Sequence, residues 1–200
     1  MTLRLFAVCA PGLEAVLTRE LAGVEGATAL APVDGGVELS GTLDTVALVN
    51  VTSRIATRIL LRLDEARVHD FARLVRAAEK LPWHRFAASP TRLVISVTAH
   101  RSRLYHTGAI AERVRAAAAK SLALTDDPGA PILSILVRGE NDRFTFSVDS
   151  SGELLHRRGY RTDVHKAPLR ETLAAGILAL AGWTPATPLV DPMCGSGTFV

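Results

Sequence analysis

Residues 189–200 read Leu-Val-Asp-Pro-Met-Cys-Gly-Ser-Gly-Thr-Phe-Val, and this order of residue types leaves few folds open. Leu189-Val190 is expected to form a short apolar strand, Gly195-Ser196-Gly197 a tight turn, and the residues after it the first turn of a helix. A strand feeding a Gly-x-Gly turn into a helix belongs to an α/β sheet and aims unpaired backbone N–H groups at a ligand. Gly195 and Gly197 let the main chain bend and approach where a Cβ would clash. Asp191, at the strand end, offers a carboxylate to a ligand amine or hydroxyl. No Gly-Lys-Ser/Thr follows the turn, which argues against a phosphate-gripping P-loop. The third glycine of the dinucleotide fingerprint would fall at Val200, so that pattern fails too.

The rest of the chain can build real cores. Its 200 residues are 48% hydrophobic and 22% charged, enough for one or two domains. Met1 to Gly12 holds one basic residue and too short an apolar run for a signal peptide, and no stretch approaches a membrane span. The expected location is cytoplasmic, with no membrane partner. Cys9 and Cys194 are too few for a disulfide framework, and the six histidines show no metal-ligand spacing, so no metal is assigned.

Net charge is only +3, but the charge is segregated along the sequence. Residues 54–120 carry 14 Lys and Arg against 5 Asp and Glu, and residues 156–170 carry 5 against 1, whereas 1–53 and 121–155 each carry 2 against 6. Basic blocks in acidic surroundings suit a phosphate backbone, because neutralising it releases condensed counterions. A solvated helix face in an arginine-rich sequence, 20 Arg against 3 Lys, gives the same counts.

Hydropathy patterning gives a mixed α and β chain. Leu3, Leu5 and Ala7 alternate as in a strand, and Leu13, Val16, Leu17 and Leu21 follow Pro11 at helical spacing. Ala27 to Ser40 reads as a hairpin turning at Asp34-Gly35-Gly36, and Thr42 can cap a helix carrying Leu43, Val46 and Ala47. Ile59, Leu61 and Leu63 then alternate. This first region is ferredoxin-like in its order of elements. From Asp70 a helix with Phe71, Leu74, Val75 and Ala78 on one face runs to Leu81-Pro82. Leu93, Ile95 and Val97 mark a strand, Gly108–Leu122 a long helix, and Ile132–Arg138 with Phe144–Val148 a hairpin. Asp149 to Gly152 is the best domain boundary. Leu169–Gly182 is expected to be a helix burying Leu169, Leu173, Ile177 and Leu180.

Asp191-Pro192-Met193-Cys194-Gly195-Ser196-Gly197-Thr198 resembles motif I of class I S-adenosylmethionine-dependent RNA methyltransferases, in particular guanine-N2 methyltransferases that carry a THUMP domain. Ser102 to Arg113, His156 to Arg161 and Ala167 to Ala175 agree with that family in the same order. The resemblance implies an α+β chain in three parts: a ferredoxin-like region at 1–53, a THUMP RNA-binding domain at 54–152, and at 153–200 a linker with part of a Rossmann-like methyltransferase domain. It implies that Asp191, Pro192, Met193, Cys194, Gly195, Ser196, Gly197 and Thr198 bind S-adenosylmethionine, with Lys166 to Thr172 beside it. RNA would be held by Arg101, Arg103, Tyr105, His106, Arg157, Arg158, Tyr160 and Arg161, with 23S rRNA the first choice and tRNA the second. The family places the guanine amine with an Asn/Asp-Pro-Pro-aromatic loop that these 200 residues do not contain. No catalytic residue is therefore assigned, and the chain by itself is expected to show no methyl transfer.

Other readings compete at single residues. Arg157 and Arg158 suit phosphate oxygens, but equally suit a linker whose arginines pair with nearby carboxylates. Tyr105-His106 can stack on a base or form a half-buried pair at a helix start. Cys194 is expected to be a small turn residue rather than a nucleophile, and Trp83 and Trp183 to be packing anchors. A pure RNA-binding module, or another nucleotide-dependent enzyme, would share the glycine turn.

Overall fold

The computed structural model describes residues 2–88, 90–159, 169–195 and 197–199. In chain order the elements are β1 (Leu3–Val8), α1 (Glu14–Ala22), β2 (Thr28–Val33), β3 (Gly36–Gly41), α2 (Leu43–Thr52), β4 (Arg58–Arg67), α3 (Phe71–Glu79), β5 (Arg92–His100), α4 (Thr107–Ala118), β6 (Ile132–Glu140), β7 (Arg143–Asp149) and α5 (Glu171–Leu180). They group into two compact units, one of Met1–Leu60 with Ser150–Val200 and one of Leu61–Asp149.

In the first unit the strand order is β2-β3-β1, with β3 antiparallel to both of its neighbours. Leu5, Phe6 and Ala7 are buried in a row, so β1 is covered on both faces and shows no alternation at its centre. The β2–β3 hairpin turns at Asp34-Gly35 as expected. Gly36 is required there, because a Cβ would lie 2.3 Å from the Ala7 carbonyl oxygen and against the Phe6 ring. The α1 stripe of Val16, Leu17 and Leu21 is buried; each such side chain contributes roughly 1.5–3 kcal/mol. Glu14 ties the start of α1 to the hairpin by accepting from the N–H groups of Gly12 at 2.8 Å and Gly35 at 3.1 Å. Thr42 and Thr45 cap α2 reciprocally, as a capping box.

Two expectations need correction here. Ile59, Leu60 and Leu61 are buried consecutively at the start of β4, where alternation was expected, because neither face of the strand is open there. In α5 the buried residues are Thr172, Ala174 and Gly176, while Ile177 is 39% and Leu180 57% exposed. The helix docks through its smallest side chains: a Cβ on Gly176 would lie 2.3 Å from Cδ1 of Leu13. Hydropathy spacing marks the largest apolar residues and misses a contact that depends on small ones.

The second unit has the strand order β7-β6-β5. β6 and β7 form the expected hairpin, turning at Asn141-Asp142 with both φ angles positive, at 50° and 64°. β5 runs parallel to β6, a pairing that needs the crossover supplied by α4. Asp70 caps α3, its Oδ1 accepting from the Arg73 N–H at 2.8 Å. The helix expected to reach Leu122 stops at Ala118. Thr91 takes up the following segment, donating to the Ala123 carbonyl at 2.9 Å and accepting from the Thr125 N–H at 3.0 Å, so the chain must leave helical geometry. Trp83, 1% exposed and donating from Nε1 to the Ala78 carbonyl at 2.8 Å, is the expected anchor. Trp183 is half-buried and its Nε1 bonds only four residues on, to the Thr187 carbonyl at 2.9 Å.

Candidate functional site

The glycine loop is open. Gly195 and Gly197 have φ of 55° and 71°, with no atom within 4 Å of where a Cβ would sit. Gly197 N–H donates to the Cys194 carbonyl at 2.8 Å, and Asp191 Oδ1 accepts from the Met193 N–H at 2.9 Å. Pro192, Met193, Cys194 and Gly195 are exposed, Asp191 and Thr198 half-buried; Ser196 lies outside the described residues. The expected strand at Leu189-Val190 is not formed, and Val190 is 84% exposed. A strand exists only through its neighbour, and none of the described strands lies beside this segment. The loop thus combines two positive-φ glycines with open Cβ positions and a carboxylate at its edge.

The start of α5 faces two cavities within the same unit. Leu169, Arg170, Thr172 and Leu173 line one of ≈ 660 Å³ together with Val8 to Pro11 and Thr57. Glu171, Thr172 and Ala175 line another of ≈ 550 Å³ with Val51 to Arg54, Leu155, His156 and Arg158. The His156 Nδ1 is buried and has no hydrogen-bond partner among the described residues. Burial pushes that imidazole below the usual histidine range, Glu171 opposing the shift and Arg170 and Arg157 adding to it. Lys166 lies outside the described residues. Among those described, no three His, Cys, Asp or Glu side chains converge to hold a metal ion.

The basic stretch 156–161 divides by role. Arg158 is used as a clamp: Nε donates to the Leu155 carbonyl at 2.7 Å, Nη1 to Val51 at 3.1 Å and Nη2 to Ser53 at 2.8 Å. Val51 and Ser53 sit at the C-terminal end of α2, where carbonyls lack intrahelical donors, so a guanidinium completes the helix. Arg157 is exposed and pairs loosely with Glu153 at 3.3 Å. Tyr160 and Arg161 lie outside the described residues.

In the second unit the segment before α4 presents Arg101, Arg103, Tyr105 and His106 together. All four are exposed, and the Tyr105 and His106 rings lie against each other with centroids 4.2 Å apart and planes tilted by 37°. Tyr105 is 64% exposed, not half-buried. Arg101 has φ of 45°, a conformation that costs a non-glycine residue about 1 kcal/mol and persists only where the surroundings impose it. The two residues that follow it are held by Asp142, a residue the sequence marks only as a turn. Its Oδ1 accepts from the Arg103 N–H at 2.7 Å, its Oδ2 lies 3.2 Å from His69 Nδ1, and its own N–H donates to Ser102 Oγ at 3.1 Å. The Arg103 N–H holds the Asp142 carboxyl below the usual range, helped by His69 and Arg103 and opposed by desolvation. A turn motif predicts backbone shape, and nothing local in sequence reveals a partner 39 residues away.

Comparison with known proteins fits this arrangement. Residues 4–60 match the family described as the RlmL ferredoxin-like domain, and residues 158–200 match UPF0020, described as the RMKL-like methyltransferase domain. A ribosomal RNA large subunit methyltransferase K/L of Methylococcus capsulatus is 37% identical across 100% of this chain and 28% of its own length. A protein of Synechocystis named as an RNA methyltransferase is 34% identical over 98% of this chain and 52% of its own length. The chain therefore spans about a quarter to a half of the curated relatives it matches. Among solved structures, a methyltransferase named SMU.472, in complex with SAH, is 30% identical and superposes with a TM-score of 0.87, covering 99% of this chain and 54% of that one. The mixed α/β fold with a ferredoxin-like N-terminal domain is thus shared along the chain. No helix among the described residues is long and apolar enough to cross a membrane.

Proposed function

We propose that this chain is the RNA-holding and cofactor-loop portion of an S-adenosylmethionine-dependent methyltransferase acting on guanine N2 of 23S rRNA. The observation that carries the reading is the similarity of this whole chain to 28% of a large-subunit rRNA methyltransferase K/L, together with an exposed arginine and aromatic loop in the segment between the two matched stretches. In this reading residues 54–152, which include the Leu61–Asp149 unit, act as a THUMP domain, with the ferredoxin-like region at 1–53 before it and 153–200 after it.

Asp191 to Thr198 would hold S-adenosylmethionine, with the Gly195 and Gly197 main chain against it and Asp191 accepting from its polar groups; bound there, it supplies an electrophilic methyl group. The chain's other residues act on the RNA. Arg101, Arg103 and Arg157 meet phosphate oxygens, and Tyr105 with His106 offers a stacking platform for an unpaired base. Since a paired guanine hides its N2, the target base must leave its stack before transfer. Arg158 holds the end of α2 and the linker in place rather than meeting phosphate.

The test is binding of the purified chain to 23S rRNA and to tRNA across a salt titration, comparing wild type with the triple variant R101E/R103E/R157E, Arg158 being left intact to preserve folding. Salt-sensitive binding to 23S rRNA, stronger than to tRNA and lost in the variant, is expected. Stronger binding to tRNA would replace the substrate, and binding indifferent to the three arginines would overturn the reading.

A further inference from the structure

The turn between β6 and β7 does more than join two strands. Asp142 accepts from the Arg103 main chain, donates to Ser102 Oγ and meets His69, while its carbonyl accepts from the Val68 N–H at 2.7 Å. Ser102 Oγ in turn donates to the His100 carbonyl at 2.9 Å, which also accepts from the Asn141 N–H at 3.2 Å. The end of β5, the loop before α4 and the residues leading into α3 are therefore all anchored on one turn.

Distances separate two roles for the carboxylate. Its contact with the Arg103 guanidinium is loose, 3.5 Å from Nε to Oδ2, and that side chain is 70% exposed. Its contact with the Arg103 amide is 2.7 Å, the length of a charge-assisted bond. A negative charge this close to an arginine also works against phosphate binding. Any benefit to RNA recognition must therefore come through geometry.

We propose that Asp142 is a positioning residue for RNA recognition: it fixes the main chain of Arg101 to Arg103 so that the arginines and the Tyr105–His106 pair face the nucleic acid. This rests on the RNA-binding reading above. It adds a residue that does not touch RNA and whose charge opposes binding.

Two substitutions separate geometry from charge. Asp142→Gly deletes the side chain while tolerating the positive φ of 64°. Asp142→Asn keeps an oxygen that can accept from the Arg103 amide, suits the turn and removes the charge. Both are compared with wild type for 23S rRNA affinity across salt and for amide hydrogen exchange over residues 101–105. Positioning requires D142G to speed exchange at Arg103 and to weaken RNA binding roughly tenfold, the effect of losing one charge-assisted hydrogen bond, with D142N at or above wild-type affinity. If the carboxylate merely competes with phosphate, both variants bind RNA more tightly and the proposal falls. Unchanged exchange in D142G also overturns it. Absence of RNA binding by wild type overturns the RNA reading instead, and exchange still decides whether Asp142 fixes the loop.

Discussion

Cys9 and Cys194 are the same chemical group in opposite surroundings. Cys9 is 5% exposed, and burial, with Glu14 adding to it, pushes its thiol up to about 11. Cys194 is exposed in the glycine loop. Since the thiolate is the reactive form, a thiol reagent near neutral pH is expected to label one group per folded chain quickly, the second only on unfolding, with C194S removing the fast phase. A fast phase that survives C194S would contradict this. Asp142 gives a pH prediction of definite sign. Its carboxyl titrates lower in the folded chain than its ordinary value of 3.8, so its stabilisation is present above that pH and is lost as pH falls through the depressed value. The difference in melting temperature between wild type and D142N should therefore be largest near neutrality and vanish in strong acid. The glycines of the loop were legible from sequence because the need for positive φ is local, whereas the close approach expected at Gly195 and Gly197 is not seen, both Cβ positions being open. Asp142 was not, because its significance lies in partners brought to it by folding.

At the level of elements, the ends of helices show the same division. Thr42 was legible as a cap because its partner Thr45 lies three residues on, the N–H of Thr42 donating to Thr45 Oγ1 at 3.1 Å. Thr42→Ala is expected to cost about 1 kcal/mol and lower the melting temperature by roughly 2–4 °C, read by thermal unfolding. The C-terminal end of the same helix is completed by Arg158, 107 residues from Val51 and 105 from Ser53, and sequence left that arginine open between an RNA ligand and a linker residue. Arg158→Ala should lower stability by about 1–2 kcal/mol through the loss of its carbonyl contacts, while R157A leaves the melting temperature unchanged. Equal effects of the two would mean that the clamp contributes nothing. α5 was legible as a helix but not by its buried side, because its closest contact is made at a glycine. The α4 end was missed for a related reason: strand-like pairing with Thr91 overrides a sequence that could have continued helical.

For the molecule as a whole, charge counted along the sequence overstates the charge offered to a partner. Residues 54–120 hold fourteen of the chain's twenty-three Lys and Arg. Several are spent within the second unit: Arg113 lies over the Phe71 ring with its Cζ 4.2 Å from the centroid, Arg115 donates to the Leu93 carbonyl, Lys120 pairs with Glu79, Arg73 with Asp70, and Arg62 donates to Ser147 Oγ at 3.2 Å. Periodicity places arginines on a helix face without saying whether that face meets solvent or a neighbouring element. The salt dependence of RNA binding distinguishes them, because each phosphate contact removed lowers the slope of log K against log salt by roughly 0.7–0.9. Replacing Arg101 or Arg103 by Gln should reduce the slope by about that amount with little change in melting temperature. Arg113→Gln, in the same basic block, should leave the slope intact and lower stability by about 0.5–1 kcal/mol, the scale of a partly exposed cation–π contact. If R113Q flattens the salt dependence as much as R103Q does, α4 itself lies against the RNA, and the Phe71 contact must open when RNA binds.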